Sequence, residues 1–481
     1  MPPEATGMTM RTGLTGYDWA ATQKLVAKNQ ANIHCLRIDM GAISIGMDTL
    51  SNEPENTVSA PMRDAACART WNRRIEEKTL SQTVSYEDMV RSGPGTLGGR
   101  YMRLFWHPVF RAKDLPPGRV RPLKILGEQF TLYRGASGKA YVADFRCAHR
   151  GTQLSLGWVE EDSLRCRYHG WKYDAAGKCI EQPGDEHDPA RKIAIRSYPT
   201  IEYVGLIFAY LGEGVAPPFP RYLDLDNPGV IVTDPPEYVP CNFWNRLDND
   251  LPHIAWTHRS TATRMKQPFM LTPRKEKYEP TDYGYKSTTF APAAITRVLH
   301  WHMPNLVHFS QRSRARNYTQ MDLWDRKYVW TVPVDDGKFA AFDVTRTPLT
   351  GAEAEKYSAQ RRAEQEHEAE MRWDIAEAIL RGDMTIEDIP EEVSHYNGFV
   401  IEDYATQVGQ GIIADRSNEH LGKQDASVAY RRRLWLQELQ ALAEGRPLRS
   451  WPIPNVALHD ADVELALESG KTSRSAEKTQ S

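Results

Sequence analysis

Two short fragments that pair cysteine with histidine constrain the fold of this chain more than any other feature of its sequence. The fragments are CAHRG at 147–151 and CRYHGW at 166–171. The segment between them can form a strand, a turn at Glu160-Glu161-Asp162 and a second strand, which would bring the fragments together as neighbouring loop tips. Their side chains predict a metal site with four candidate ligands: Cys147, His149, Cys166 and His169.

The distribution of these ligands distinguishes between two kinds of metal site. Structural zinc also uses mixed cysteine and histidine, but zinc signatures usually begin with two cysteines that lie two to four residues apart. Here each fragment carries one cysteine and one histidine. That arrangement suits a 2Fe-2S cluster in which one iron takes both thiolates and the other takes both imidazoles. Structural zinc stays the alternative.

The two fragments resemble the Rieske signature, including Arg150-Gly151 after the first histidine and Gly170-Trp171 after the second. The resemblance implies a 2Fe-2S cluster whose iron ions are held by the two thiols and the two imidazoles named above. A Rieske domain alone would only carry electrons. The rest of the chain is therefore expected to contain a place where the electron is used.

A second candidate metal segment is NRLDNDLPHIAWTHRS at 245–260, which contains Asp250, His253 and His258. At about 100° per residue, the two histidines would lie about 140° apart around a regular helix. They could not bind one ion unless the helix were distorted or interrupted. Pro252, which removes a backbone donor just before His253, is consistent with a helix start or an interruption there.

This segment resembles the Asp-x-x-His-x-x-x-x-His element of Rieske non-haem iron oxygenases. The resemblance implies that His253 and His258 bind a mononuclear Fe(II) and that Asp250 hydrogen-bonds His169 of the partner subunit. The third iron ligand is expected in GFVIEDYATQVGQGIIADRSNEHLGKQD at 398–425, which resembles the corresponding stretch of the phthalate 4,5-dioxygenase and aromatic O-demethylase type. That likeness selects Asp403, with Glu402 and Asp415 as alternatives.

The pattern of strands and helices predicts an α+β fold in more than one domain, as the length of 481 residues also suggests. Short β-rich runs predict a small all-β Rieske domain of antiparallel sheets at 82–215. Strand-like runs within 283–345 and helices at 352–381 and 426–444 predict an α+β catalytic domain at 216–455. The resemblance implies that this domain is helix-grip-like, with a long antiparallel sheet. Residues 1–81 are expected to be an N-terminal extension, partly disordered, and 456–481 a C-terminal tail.

Composition excludes several classes of partner. A formal net charge of −3 provides no basic field that would attract nucleic acid. No apolar run approaches the roughly 18 residues that a membrane span requires, and the first residues lack the apolar segment of a signal peptide. Six cysteines are too few for a disulfide framework in a chain of this length. We therefore expect a cytoplasmic chain with no nucleic-acid or membrane partner.

The resemblance also implies a function, the terminal oxygenase component of a multicomponent system. Electrons from NAD(P)H would arrive through a reductase or ferredoxin, be stored on the cluster and pass through Asp250 to Fe(II). There, O₂ and an aromatic, carboxylated substrate would react by hydroxylation or O-demethylation. Because the two metals of one chain lie on separate domains, the resemblance implies head-to-tail association of subunits. A head-to-tail interface that closes gives a ring, and we expect a homotrimer.

Two alternative functions stay open at this point. One is a Rieske electron-transfer protein without oxygenase activity. The other is a Rieske oxygenase that acts on a non-aromatic substrate.

Overall fold

The computed structural model of the chain describes residues 84–184, 192–249, 254–266, 271, 274–290, 295–313, 315, 323–368, 372–459 and 462–463. All of them belong to one unit of the chain, Lys78–Ser481. The predicted N-terminal extension at 1–81 lies outside the described residues, as do Asp250 and His253.

Two short helices are followed by three antiparallel sheets. The helices are α1 (Tyr86–Val90) and α2 (Leu97–Met102). The first sheet has the order β1 (Trp106–Arg111), β11 (Leu206–Tyr210), β10 (Thr200–Tyr203). The second has the order β2 (Val120–Ile125), β3 (Glu128–Arg134), β4 (Ala140–Asp144), β9 (Ser197–Tyr198). The third has the order β5 (Trp158–Glu160), β6 (Ser163–Arg165), β7 (Lys172–Tyr173), β8 (Cys179–Glu181).

The third sheet carries the predicted strand–turn–strand segment. Strands β5 and β6 pair in antiparallel fashion, with Trp158 opposite Arg165, and the turn between them places Glu161 at φ 57°. Leu164 and Tyr173 are fully buried beneath the sheet. The CAHRG fragment follows β4, and the CRYHGW fragment joins β6 to β7. Both fragments are therefore loops between strands, as predicted.

An eight-stranded antiparallel sheet dominates the second half of the chain. Its main path has the order β12 (Val230–Thr233), β19 (Lys338–Thr347), β18 (Trp324–Asp335), β17 (Leu306–Arg312), β16 (Ile295–His302), β15 (Gly284–Phe290), β14 (Lys275–Pro280). Strand β13 (Glu237–Val239) also pairs with β19. Together with the all-β region before it, this sheet confirms the predicted α+β fold class with a long antiparallel sheet.

Most helices of the second half follow or precede this sheet in sequence. The remaining α-helices are α3 (Leu223–Asp226), α4 (Phe243–Leu247), α5 (Ile254–Thr257), α6 (Arg259–Arg264), α7 (Gly351–Glu368), α8 (Arg372–Arg381), α9 (His395–Val408) and α10 (Ala426–Ala443). The single helix expected over 352–381 is described as α7 and α8, and 369–371 lie outside the described residues. The described part of the chain contains no helix that is long and apolar enough to cross a membrane.

The two faces of the large sheet are distinguished by alternating side chains of β16. Trp301 faces α10, whose Arg431 guanidinium lies 5.3 Å from the indole centroid. His300 lies on the other face, where it contacts Asp462 near the C-terminus. Helix α10 and the segment after it therefore cover opposite faces of the sheet at β16.

An aromatic cluster joins the N-terminal helices to α4 and α10. Trp435 packs edge-to-face on Trp244 and Tyr101, with centroids 5.3 and 5.1 Å apart. Pairs of this kind contribute about 0.5–1.5 kcal/mol beyond the area that they bury. The Trp244 indole also donates to Met89 O over 3.0 Å. These contacts fix α4, which leads the chain into the second predicted metal segment.

Candidate metal centres

The two Cys/His loops have the same backbone hydrogen bonds. In each loop the cysteine amide donates to the carbonyl five residues later, at 2.9 Å for Cys147 and 2.8 Å for Cys166. The amides of Gly151 and Gly170 donate back to the carbonyls of these cysteines, at 2.9 and 3.0 Å. The two glycines have φ of 73° and 74°, the left-handed conformation that glycine adopts without strain. The local sequence therefore produces two equivalent turns.

An arginine before each cysteine supports its own loop. The Arg146 guanidinium donates to Gly151 O over 3.1 Å, and the Arg165 guanidinium donates to Gly170 O over 2.7 Å. Arg165 also makes a two-bond contact with Glu160, at 2.7 and 2.9 Å. Such planar, charge-assisted pairs hold a fixed geometry. Sequence reasoning missed these arginines, although both stand directly before a candidate ligand.

The four predicted cluster ligands converge at these loop tips. Cys147 and Cys166 are 4% and 2% exposed, whereas His149 and His169 are exposed, with ring centroids 4.6 Å apart. Burial raises the pKa of the Cys166 thiol, so a thiolate here needs a nearby positive charge such as a metal ion. Desolvation, with repulsion from His149 and Arg150, lowers the pKa of His169 and favours its neutral, ligand-competent form. This donor set fits a 2Fe-2S cluster with inner thiolates and outer imidazoles.

Two aromatic residues support the donors. The Tyr173 hydroxyl lies 3.1 Å from Cys147 Sγ and accepts a hydrogen bond from the Ala148 amide, also at 3.1 Å. Its own proton can therefore point at the sulfur. The indole of Trp171 stacks on the His149 ring at 4.5 Å with an interplanar angle of 4°. Trp171 was part of the recognised signature, whereas nothing in the sequence pattern had singled out Tyr173.

The second metal segment is interrupted, as its spacing requires. Helix α4 ends at Leu247, and the next described helix is α5. His258 lies between α5 and α6, with φ −103° and ψ 27°, which are not helical values. His258 therefore sits at a break in the helical path. Asp250 and His253 lie outside the described residues.

His258 contacts one carboxylate on each ring nitrogen. Nδ1 lies 3.0 Å from Oε2 of Glu402, which is fully buried and also accepts from the Thr261 amide at 2.8 Å. Nε2 lies 3.6 Å from Oδ1 of Asp403. Two donor atoms at that separation can share one ion with bonds of about 2.0–2.2 Å. The pair fits a metal site in which Glu402 orients the imidazole and Asp403 completes the donor set.

The environment separates Asp403 from its two predicted rivals. Asp403 accepts from Asn249 Nδ2 at 2.9 Å and from Arg246 at 3.3 Å, which holds its carboxylate next to His258. Glu402 points at the opposite nitrogen of the ring. Asp415 is exposed, and its carboxylate accepts from the Ser417 amide at 2.9 Å. Of these three carboxylates, Asp403 is the one that faces Nε2.

Arg297 lies within electrostatic range of Asp403, and Arg274 lies within range of Arg297. Burial, with repulsion from Arg274, lowers the pKa of Arg297 to about 10, and the Asp403 carboxylate acts on Arg297 in the opposite direction. Arg274 is 6% exposed, and its Nε has no hydrogen-bond partner among the described residues. The Arg297 guanidinium lies 4.7 Å over the Phe309 ring. Sequence reasoning identified no pocket residue, and these two cations are the first candidates.

Comparison with known proteins covers most of the chain. Residues 105–199 match the family model of the Rieske [2Fe-2S] domain. Over 395 residues the chain is 26% identical to the 5,5'-dehydrodivanillate O-demethylase oxygenase subunit of a Sphingobium species, an alignment that covers 79% of this chain and 84% of the relative. It is 27% identical over 409 residues to phenoxybenzoate dioxygenase subunit alpha of Ectopseudomonas oleovorans, covering 80% and 91%.

Solved structures show the same fold. NdmA of Pseudomonas putida superimposes with a TM-score of 0.53 at 20% identity, over 72% of this chain and 93% of that one. The two sequence relatives are oxygenase subunits that align along most of their length, so an electron carrier without oxygenase activity is not favoured. The chain contains a Rieske [2Fe-2S] domain and is similar along most of its length to the large subunits of Rieske non-haem iron oxygenases, which combine a 2Fe-2S cluster with a mononuclear iron and use electrons supplied by a reductase.

Proposed function

We propose that this oxygenase hydroxylates or O-demethylates an aromatic carboxylate, with O₂ and with electrons that originate from NAD(P)H and arrive through a reductase or ferredoxin. The observation that carries the proposal is the geometry at His258, which has one nitrogen on buried Glu402 and the other facing Asp403. Both sequence relatives reported above are named for aromatic acids, one for demethylation and one for dioxygenation.

Each predicted ligand has a role in this proposal. The cluster ligands are Cys147, His149, Cys166 and His169, and the iron ligands are His253, His258 and Asp403. When bound, the cluster supplies a one-electron store and the ferrous ion supplies the positions at which O₂ is activated. The support for the first set is its convergence at two equivalent loops, and the support for the second is the pairing of His258 with Asp403.

The side chains around His258 fix the tautomer of its imidazole and the orientation of the Asp403 carboxylate. An Nδ1–H that donates to Glu402 leaves the Nε2 lone pair directed toward Asp403. Asn249 and Arg246 donate to the Asp403 carboxylate and so limit its rotation. The geometry for metal binding is therefore set by the hydrogen-bond partners of His258 and Asp403. These partners are Glu402 on α9, Arg246 on α4 and Asn249, two residues after α4.

The two arginines support a carboxylated substrate. Arg274 and Arg297 repel each other, and burial makes both charges costly unless an anion lies close by. An aromatic carboxylate offers that anion in a planar form that guanidinium groups recognise with two hydrogen bonds. We assign Arg297, with Arg274, to binding the substrate carboxylate.

The assembly and the domain boundaries belong to the same proposal. His149 and His169 are exposed at the protein surface, where a neighbouring subunit could reach them. Asp250 would hydrogen-bond His169 of the partner subunit in a homotrimer, with 82–215 as the Rieske domain and 216–455 as the catalytic domain. Because the electron donor depends on NAD(P)H, we place the protein in the cytoplasm.

The decisive experiment combines iron analysis with substrate-dependent O₂ uptake. The full chain, supplied with NADH and a surrogate reductase, should contain about three iron ions and consume O₂ only when an aromatic acid is added. Formaldehyde release would identify demethylation, and a diol product would identify dihydroxylation. About two iron ions with no substrate-stimulated uptake would refute the oxygenase assignment of this site.

The role of the arginines is tested separately. Arg297→Gln should raise KM for the carboxylated substrate while the uncarboxylated analogue is handled as before. Arg381→Gln, at an exposed position on α8, serves as the matched control. Equal effects of Arg297→Gln on both substrates would reject the carboxylate contact.

A further inference from the structure

Several buried histidines lie on the sheet face opposite α10, outside the site described above. His300 and His308 are direct cross-strand neighbours on β16 and β17. His302 follows on β16, and His459 reaches the same place from the segment after α10. All four are at most 2% exposed. Such a concentration of titratable groups in a core is costly unless each ring nitrogen has a partner.

One part of this cluster is a closed hydrogen-bond network. His300 contacts the Tyr283 hydroxyl through Nδ1 at 2.7 Å and Asp462 Oδ2 through Nε2 at 2.6 Å. The other oxygen of Asp462 accepts from Lys286 at 2.9 Å. Both nitrogens of His300 and both oxygens of Asp462 are therefore occupied. His300 therefore has no free ring nitrogen to offer a metal ion.

The second part of the cluster has two ring nitrogens without a hydrogen-bond partner among the described residues. One ring nitrogen each of His308 and His459 and one carboxylate oxygen of Asp224 lie within 4.8 Å of one another, and all three residues are buried. Nδ1 of His308 and Nε2 of His459 have no hydrogen-bond partner among the described residues. The two histidine rings lie 4.4 Å apart between centroids. Two buried imidazoles beside a carboxylate, each ring with one free nitrogen, offer a donor set for a cation.

The remaining ring nitrogens are oriented as metal-binding histidines require. His308 Nε2 lies 3.1 Å from His302 Nε2, and His459 Nδ1 lies 2.9 Å from Ser310 Oγ. Ligating histidines usually donate their second N–H to a hydrogen-bond acceptor, which fixes the tautomer, and both His302 Nε2 and Ser310 Oγ can accept. Asp224 is held as well, since its carboxylate accepts from Tyr328 at 3.2 Å and from the His459 amide at 3.3 Å.

We propose that Asp224 Oδ, His308 Nδ1 and His459 Nε2 bind a divalent cation of the zinc class, separate from the iron sites. Two imidazoles and one carboxylate, with no thiolate, suit Zn²⁺, whose donors lie about 3.3 Å apart in a tetrahedron, so the three side chains close inward by a small movement. The ion joins the segment at 456–459 to α3 and β17. Its role is structural, because all three ligands are buried.

Burial also keeps the two imidazoles neutral. Desolvation is the main cause that lowers the pKa of His308 and of His459 well below the ordinary value of 6.5. A neutral ring retains the lone pair that a metal ligand needs. The neutral state of both rings is consistent with the donor set described above.

The test is an element-specific measurement on the full chain with its iron centres loaded. Metal analysis should find one zinc ion per chain in addition to iron. Zinc-edge X-ray absorption should show only nitrogen and oxygen neighbours at about 2.0–2.1 Å, with the imidazole scattering pattern. A sulfur shell at about 2.3 Å would mean that zinc occupies the Cys/His loops and would overturn the proposal.

Matched variants locate the ion. His308→Asn should reduce zinc from one per chain to nearly none, whereas His300→Asn, at the cross-strand position in the same core, should retain it. His258→Ala should also retain zinc. Loss of zinc in His258→Ala, or its retention in His308→Asn, would reject this site. If His308→Asn fails to fold, the absorption spectrum of the unmodified chain still decides, since an absence of zinc or a zinc–sulfur shell there rejects the proposal.

Discussion

Glu402 and Asp403, consecutive residues of α9, lie against different ring nitrogens of His258. The Glu402 carboxylate is 3.0 Å from Nδ1, and the Asp403 carboxylate is 3.6 Å from Nε2. Neighbouring positions on a helix point about 100° apart, so the two carboxylates reach the ring from different sides. One helix therefore provides both the group that orients the imidazole and the group that can share an ion with it.

Replacement of Glu402 by glutamine should weaken the mononuclear iron site without removing a ligand. The amide cannot accept from both His258 and Thr261 as the carboxylate does, so the imidazole loses its fixed orientation. We expect iron affinity or turnover to fall about 10–100-fold. Iron retention under chelator and the kcat of the variant measure this, and the Rieske absorbance should be unchanged. Normal iron retention and turnover would contradict the orienting role.

The substitution Asp403→Asn should abolish binding of the mononuclear iron, whereas Asp415→Asn should not. Asp403 faces Nε2 of His258, whereas the exposed Asp415 carboxylate accepts from Ser417. Total iron in Asp403→Asn should therefore fall from about three to about two per chain, with loss of substrate-dependent O₂ uptake. Asp415→Asn is the matched control. The reverse result in the two variants would transfer the ligand role to Asp415.

Tyr173→Phe should lower the reduction potential of the cluster. The hydroxyl lies 3.1 Å from Cys147 Sγ, and a hydrogen bond to that sulfur stabilises the extra negative charge of the reduced state. If the bond contributes about 1.4 kcal/mol, the potential falls by about 60 mV for one electron. A redox titration followed by EPR measures the shift. Tyr133→Phe, whose hydroxyl donates to Asp162 O instead, should leave the potential unchanged.

Acid should remove the contribution of Glu160 to the stability of the Rieske loops. The Arg165 guanidinium, as the main cause, lowers the pKa of Glu160 from 4.5 to about 2. A carboxyl with a lowered pKa in the folded state stabilises the fold above pH 4.5, and this stabilisation is lost as the pH falls towards 2. The side chain is 33% exposed, so solvent reduces the effect.

Urea unfolding of the unmodified chain and of Glu160→Gln, followed by cluster absorbance, tests this pH dependence. The unmodified chain should be more stable at pH 7, and the difference should shrink as the pH is lowered from about 4.5 towards 2. Glu161→Gln, one residue along the same turn, should show no comparable difference. A stability difference between the chain and Glu160→Gln that is independent of pH would contradict the ion-pair explanation.

Asp250→Asn should separate metal binding from electron transfer. If Asp250 bridges to the partner subunit's His169, the variant should still bind the cluster and the mononuclear iron, form the trimer and accept an electron on the cluster. Its turnover rate should nevertheless be severely reduced. Stopped-flow reoxidation of the reduced cluster in the presence of substrate and O₂ measures the step directly. Turnover at the unmodified rate would remove Asp250 from the electron path.

The two Cys/His loops could be predicted from the sequence because their geometry is local. Each turn is closed by hydrogen bonds over four or five residues, and Gly151 and Gly170 supply the left-handed conformation that it needs. The break at His258 could be predicted for the same reason, since the spacing to His253 is incompatible with a regular helix. The strand and turn between the loops followed from the same short-range pattern.

The choice among carboxylates could not be made from local sequence. Glu402 and Asp403 are adjacent and acidic, and only the packing of α9 against the start of α6 decides which of them meets Nε2. The histidine cluster poses the same problem. Alternation marks His300 and His302 as one face of a strand, but His459 joins them from a segment that the domain prediction assigned to the C-terminal tail.

Strand β16 carries the side chains of two separate environments along one backbone. On one side Arg297 lies over Phe309 within electrostatic range of Asp403, and Trp301 faces α10. On the reverse side His300 and His302 face the other buried imidazoles. Point substitutions on one side therefore leave the other side intact, which lets substrate preference diverge independently. A single-residue insertion or deletion within β16 would have a larger effect, because it would move the side chains beyond it to the opposite face of the sheet. The arginine and tryptophan side chains and the imidazoles would then exchange faces.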